Sequence, residues 1–326
     1  MQVITSRLTV VSLAAMLALA ACTGDNGSDN SGSAAASGAP SQASQDSPPS
    51  SPPVPAGMTP EAYQIDLDTA GKPVGAALAA IAKARTFKSL DQRIQKAQDA
   101  VDGAVDRLGD LQAPAETSPQ HEGYVEALRR MDGELVTIRD AISDQSLCTS
   151  AAVLARLGKS DEFTGLKEAG AALADKGGNY SSAAIGLKPP KERSRRLGNG
   201  TVVSSRIRGG RGSLTIKNGG TQDGVVTLLK GKQKAVSVYV RKKSTARVSN
   251  IKDGSYRVYF TTGADYDRAA RAFTRNCTFE RFEDSLPFRT TYTATQVRWS
   301  TWTITLNRVK GGNARSSAVN PDDFPS

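Results

Sequence analysis

At Gly200 the hydrophobic pattern of this 326-residue chain changes its period. Before that point apolar residues recur every three or four positions. After it they alternate. A chain that holds the two patterns in separate blocks is expected to fold as α+β with segregated parts.

The helical block opens at Thr59-Pro60-Glu61, where a Thr cap, a Pro at the first helical position and an acid in the first turn mark a helix start. Leu67, Ala70, Val74, Ala77, Leu78, Ile81 and Ala84 follow at helical spacing, with a kink or break expected near Gly71 because Pro73 lies inside the run. A second helix is read from Ser89, with Leu90, Ile94, Ala97, Val101, Ala104, Leu108 and Leu111 on one face. Ser118-Pro119 starts a third, carrying Tyr124, Leu128, Met131, Leu135, Ile138 and Ile142. A fourth segment, about residues 149–176, is expected to be interrupted at Gly158, because Ser160-Asp161-Glu162 reads as a fresh cap. Short connections between four amphipathic helices predict an antiparallel bundle with the apolar stripes as its core.

The alternating block suggests strands at Ser213–Asn218, Gly224–Leu229, Ala235–Val240, Ala246–Ile251, Tyr256–Thr262, Phe288–Thr295 and Val297–Leu306. Turn residues separate them, among them Asp253-Gly254 and Lys230-Gly231-Lys232. Seven short strands at this spacing predict an antiparallel sandwich or barrel. In Val236 to Val240 and Tyr256 to Phe260, alternate residues should face its core. Asp265 to Phe273 breaks the alternation and reads as one or two helical turns. The expected fold class is therefore α+β with two domains, an N-terminal antiparallel four-helix bundle over 59–178 and a C-terminal antiparallel β-sandwich over 201–310. A basic linker at 179–200 joins them, and a polar tail covers 311–326.

Charge divides along the same boundary. Residues 59–187 hold 14 Lys and Arg against 19 Asp and Glu, whereas residues 188–326 hold 27 against 10. A net +17 on the second part attracts polyanions. Lys230, Lys232, Lys234, Arg241, Lys242, Lys243 and Arg247 fall on two neighbouring turns and their flanks, so they are the candidate anion-binding residues if they gather at one end of the sandwich. The alternative is a generally solvated basic surface. Lys188 to Arg196 reads as a solvated linker, or as an anion-binding or protease-sensitive stretch.

The N-terminus says where such a surface works. Arg7 precedes an apolar run, Leu8 to Ala20, of about 13 residues, too short to cross ~30 Å of hydrocarbon. Leu19-Ala20-Ala21-Cys22 ends the run and resembles a bacterial lipobox. The resemblance implies cleavage between Ala21 and Cys22, acylation of the Cys22 thiol, and tethering to the outer face of a cell membrane. The other reading is an ordinary signal peptide with a chance Cys. Residues 23–58 are rich in Ser, Gly, Ala and Pro and read as a disordered tether, with a root-mean-square span of roughly 33 Å. Outside the cell, anionic lipid or wall polymers such as teichoic acids are better candidate partners than nucleic acid, and no aromatic interleaving suggests base stacking.

Cys148 and Cys277 remain as a pair in a disulfide-permissive compartment. Bonded, they would staple the two halves together, a constraint worth up to ~5 kcal/mol in the chain-entropy account. Unbonded, they would pack as two small apolar side chains.

Few chemistries are open to this sequence. Its single histidine, His121, lies in the first turn of the third helix and reads as a solvated or capping residue. That is thin material for a triad or a zinc site. A sortase-like Cys-Arg arrangement from Cys277, Arg275 and Arg298 lacks a His in the β part. Asp265 with Asp267, or Asp322 with Asp323, are carboxylate pairs of the type that cleaves glycosides. Asp265-Tyr266-Asp267 could instead bind calcium, but Arg268, Arg271 and Arg275 argue against a dication and for local salt bridges. No cofactor is expected.

Ile251-Lys252-Asp253-Gly254-Ser255-Tyr256-Arg257-Val258 resembles the strand-turn signature of immunoglobulin-like and transthyretin-like modules. The full layout is similar to a group of actinobacterial surface lipoproteins, with lipobox, Ser/Pro linker, Ala-rich helices and a β module. Tyr256 to Phe260, Phe273 to Cys277 and Gly311 to Ala314 carry that likeness. It implies location and architecture, with no activity attached. The functional expectation is a non-enzymatic envelope protein that binds an anionic polymer, lipid surface or acidic partner. The alternatives are a spacer or assembly subunit docking through its helices, and a carboxylate-based hydrolase.

Overall fold

Thr59 turns its side-chain oxygen onto the Ala62 N–H at 3.3 Å, and helix α1 (Pro60–Ala80) starts there. A computed structural model describes residues 58–177, 180–183, 185–306 and 315–325. The expected break at Pro73 does not occur: α1 runs through it. Pro73 and Thr69 are both on the exposed side, where the carbonyl freed by the missing N–H is open to water, so continuing the helix costs less. Helix α2 (Phe87–Gly109) starts two residues before Ser89, because Thr86 and Ser89 cap each other reciprocally. Helix α3 (Ser118–Ser143) begins where expected. The fourth segment is split, into α4 (Ser150–Leu157) and α5 (Asp161–Ala174), with Ser160 accepting the Phe163 N–H at 3.2 Å.

The stripes meet in one core. Leu67, Val74 and Leu78 of α1, Ile94, Val101 and Leu108 of α2, Leu128, Met131 and Leu135 of α3, and Leu166 and Leu173 of α5 are all buried in it. Each such side chain contributes about 1.5–3 kcal/mol of transfer free energy. Ala97 and Ala104 contribute much less. Helix α2 packs on both α1 and α3, and α3 on α5. Among the described residues, five α-helices are present and none is long and apolar enough to cross a membrane.

His121 is not a solvated cap. It is 5% exposed, between Tyr63 Oη (2.9 Å from Nδ1) and the Leu108 carbonyl (3.0 Å from Nε2). A carbonyl only accepts, so Nε2 donates and Nδ1 receives the tyrosine proton. Burial pushes the His121 pKa down, against the opposing pull of the Leu108 carbonyl, and so favours this neutral ring.

Twelve strands follow among the described residues: β1 (Val202–Ser205), β2 (Arg208–Asn218), β3 (Asp223–Lys230), β4 (Gln233–Val240), β5 (Ser244–Ile251), β6 (Gly254–Asp267), β7 (Ala272–Phe282), β8 (Leu286–Phe288), β9 (Thr290–Tyr292), β10 (Val297–Trp299), β11 (Thr301–Thr305) and β12 (Ser316–Ala318). The large sheet runs β1-β4-β3-β6-β7-β12, with β8 also on β6. A second sheet runs β11-β2-β5, and β9 and β10 form a separate hairpin. The pairings are antiparallel except β11 on β2, which is parallel and departs from the all-antiparallel expectation. Leu214, Ile216, Val226, Leu228, Val236, Val238, Ala246, Val248 and Phe260 from both sheets share one core.

The opposite face of the large sheet is covered too. Val225, Tyr239, Tyr266, Phe273 and Cys277 pack with Cys148 and Phe87 from the helical part. This explains why β3 and β4 do not alternate as expected. Ser237 and Tyr239 are as buried as Val236 and Val238, because they face the helices.

Three ties hold the helices against that face. Cys148 and Cys277 are disulfide-bonded, and the Cys148 N–H donates to the Thr274 carbonyl at 2.9 Å. The chain expected to be a solvated linker is strapped to the sheet instead. Pro189 abuts Gly158, where any Cβ would come within 2.5 Å of it, and the Arg195 carbonyl accepts the Tyr266 N–H at 2.9 Å. Glu192 pairs with both Lys159 and Arg275. The tail, expected to be loosely specified, supplies β12 on β7. Beyond β12, Asp322 accepts the Phe87 N–H (2.7 Å) and the Lys88 N–H (2.9 Å) at the start of α2.

Two further strand expectations fail. Residues 265–273 form no helical turns; they are the end of β6, a four-residue turn and the start of β7. Asp265, Arg271 and Asn276 adopt positive φ there, which bends the ladder and hides its alternation. Phe288 to Leu306 is not two long strands, and breaks into β8 to β11.

Candidate anion-binding site

The tight turn between β3 and β4 pairs Lys230 with Gln233 and needs a positive φ of 61° at Gly231. It leaves Lys230 and Lys232 exposed at its tip. A register shift at Leu228/Leu229 then brings Lys234 to the opposite strand, half-buried. Two cations from distant sequence join them. The Arg206 N–H donates to the Ala235 carbonyl at 2.8 Å, which sets Arg206 beside Lys234. Arg271 comes from the β6–β7 turn, at φ 53°.

These five cations, with Ser204 and Gln233, line an open depression of about 520 Å³ that holds no carboxylate among the described residues. None of the five makes an ion pair among the described residues. The Lys230 Nζ donates to the Asp253 carbonyl at 2.9 Å. Burial lowers the Lys234 pKa, and the neighbouring Arg271 and Arg206 charges lower it further.

The seven candidate cations do not come together. Lys230, Lys232 and Lys234 stand at one end of β4, and Arg241, Lys242 and Lys243 at the other. Lys234 and Arg241 are seven strand positions apart, roughly 24 Å at ~3.4 Å per residue. The second group is also engaged in structure. Arg241 Nε donates to the Leu197 carbonyl (2.9 Å), Lys243 Nζ to the Gly219 carbonyl (2.6 Å), and the Lys242 N–H to Asp223 (2.9 Å). Arg247, on β5, reaches Ser213 Oγ at 3.3 Å. Sequence reasoning missed Arg206 and Arg271, because the first reaches the β3–β4 tip only through β1–β4 pairing and the second only through the bend of the β6–β7 hairpin over the sheet.

The carboxylate candidates are occupied. Asp265 accepts from the Arg195 N–H (2.7 Å), Nε (2.9 Å) and Nη2 (2.8 Å) and from Thr274 Oγ1 (2.8 Å). Burial would raise its pKa, but these donors outweigh it and hold the carboxyl below its usual range. Asp267 pairs with Arg195 Nη1 at 2.9 Å. Both salt bridges run to the linker and not to Arg268, Arg271 or Arg275 as expected. Asp223 is held the same way by Arg196 (2.6 Å to each oxygen), by Tyr239 and by the Lys242 N–H. Its burial is outweighed, and its pKa falls to about 2. Asp322 caps α2, and its neighbour Asp323 is exposed. Arg298 is exposed on β10, bonded to Gln296, whereas Cys277 is buried in the disulfide. Among the described residues no group of acids, His and Cys is placed to hold a metal. Ala21 and Cys22 lie outside the described residues.

Compared with known proteins, the chain matches no family model, no curated protein and no solved structure.

Proposed function

We propose that this is an exported, non-enzymatic binding protein, lipid-anchored through Cys22 on the outer face of the cell membrane. Its basic β module engages an anionic wall polymer or lipid headgroup at Arg206, Lys230, Lys232, Lys234 and Arg271. In finer detail we read the helices as an antiparallel bundle, with α4 as an offshoot, and the sheets as an immunoglobulin- or transthyretin-like sandwich. The shared core of the two sheets supports the sandwich.

The reading rests on one observation: five cations share a depression without a carboxylate. Two like charges ~4 Å apart repel by about 1 kcal/mol in water and about 4 kcal/mol in a partly shielded site. An arriving anion relieves that repulsion. The spacer alternative has less support. Among the described residues the helices expose only Ile65 and Val136 as large apolar side chains, a thin basis for a docking face.

The test is equilibrium binding of short polyphosphate to the mature chain at low and high salt. Reversing Arg206, Lys230 and Lys232 to Glu should abolish salt-sensitive binding. Reversing Lys242 and Lys243, at the far end of β4, should leave most of it. Equal effects from the two sets would sink the assignment to this depression.

A further inference from the structure

The cationic depression opens into a second space. A cleft of about 640 Å³ lies between the large sheet and the helices, and it shares Ser204, Lys234 and Arg271 with the depression. That volume falls within the ~300–1,000 Å³ typical of small-molecule sites, which favour junctions between modules. Val203, Val225 and Phe279 line it on the sheet side, and Phe87 and Leu90 of α2 on the other. Its polar floor is largely self-satisfied: Thr227 Oγ1 and Ser237 Oγ bond each other at 2.9 Å.

Cations outnumber anions along the cleft once ion pairs are removed. Asp267 is neutralised by Arg195. Asp322 keeps its negative charge, its two oxygens turned onto the N–H groups at the positive start of α2. Arg85, Lys234 and Arg271 remain, with no ion pair among the described residues. Tyr266 also lines the cleft, and its buried hydroxyl has no hydrogen-bond partner among the described residues.

We infer that cleft and depression are two halves of one site for an amphiphile: a hydrocarbon chain lies between α2 and the sheet, and its anionic, phosphate-bearing head rests on Lys234 and Arg271. This rests on the anion-binding reading above and adds the apolar half. A free polymer or a bare phosphate would use the cations and leave the cleft idle. The amphiphile uses both.

The test compares three probes on the full mature chain by calorimetry, below their aggregation concentrations: methyl phosphate, dodecyl phosphate and neutral dodecyl maltoside. Burying hydrocarbon gains roughly tenfold in affinity per two methylenes, so dodecyl phosphate should bind at least ~100-fold more tightly than methyl phosphate. Arg271→Ala should weaken dodecyl phosphate about tenfold and leave dodecyl maltoside unchanged. Ala82→Trp and Ala270→Trp, at exposed positions on opposite walls, narrow the cleft without touching the core, and each should weaken dodecyl phosphate while leaving methyl phosphate unchanged. Equal affinity for methyl and dodecyl phosphate would overturn the cleft assignment and leave the anion reading standing. Failure of both phosphates to bind would remove both. Dodecyl maltoside binding as tightly as dodecyl phosphate would overturn the placement of the head.

Discussion

Asp322 reaches back 235 residues in sequence to the start of α2. The four N–H groups that a helix leaves unpaired at its start are all satisfied there, and Asp322 takes two of them, at 2.7 and 2.9 Å. Thr86 takes a third through its side chain, at 3.1 Å. Asp322→Ala therefore removes two charge-assisted hydrogen bonds and a negative charge at the positive end of the helix dipole. Asp322 is exposed, so each bond contributes at the low end, about 0.5–1 kcal/mol, and the pair about 1–2 kcal/mol. At ~2–4 °C per kcal/mol for a unit of this size, melting should fall by roughly 2–8 °C. Asp322→Asn keeps one acceptor oxygen and should lose about half as much. Asp323→Ala, next door and exposed, should change melting by less than ~0.5 kcal/mol equivalent. Calorimetry gives the melting temperatures. Hydrogen exchange at the Phe87 and Lys88 amides supplies the local readout, and should quicken only in the Asp322 variants. If Asp322→Ala and Asp323→Ala melt together, with Phe87 and Lys88 still protected, the tail is not what caps α2.

Two more outcomes follow from the described contacts. Replacing Cys148 and Cys277 by Ser should lower stability by at most ~5 kcal/mol. The loss should fall short of that limit, because the unfolded chain is more compact than a free coil; urea unfolding of oxidised and double-Ser protein measures it, and equal midpoints would contradict the staple. His121 carries a lowered pKa in the folded state, so the unfolded chain binds a proton first as pH falls below ~6.5. Stability should therefore be flat above neutrality and decline from about pH 7 toward pH 5, and His121→Gln should flatten that decline. An unchanged slope in the variant would assign the effect to other groups.

The helices were largely legible in the sequence. All six stripe residues of α2 from Leu90 to Leu108 are buried, and the interruption at Gly158 follows from the Ser160 cap. The errors arose where partners lie far apart along the chain. Arg195 and Arg196 look like a solvated basic run until Asp265 and Asp223 are folded against them. β7 escaped notice because the positive φ at Asn276 and the turn at Arg271 interrupt its alternation. β4 was recognised as a strand, but its second buried face depends on helices that local pattern cannot place. The candidate site was half legible. The Lys230-Gly231-Lys232 turn announces itself, whereas Arg206 reaches it only through the pairing of β1 with β4, and Arg271 only once the far end of the β6–β7 hairpin bends over the sheet.

The cross-link between Cys148 and Cys277 also sets the molecule's mechanical behaviour. If the chain is pulled by its two ends, tension passes from residue 148 to residue 277 through two sulfur atoms, and the intervening strands carry none of it. Helices α1 to α3 and the C-terminal strands can be drawn out, but β1 to β6 and the floor of the cleft cannot lengthen while the bond is intact. In a force-extension experiment this segment contributes no extension until a reductant is added. Loads that draw out the helices and the last strands therefore leave the segment carrying the five cations of the depression closed on itself between residues 148 and 277.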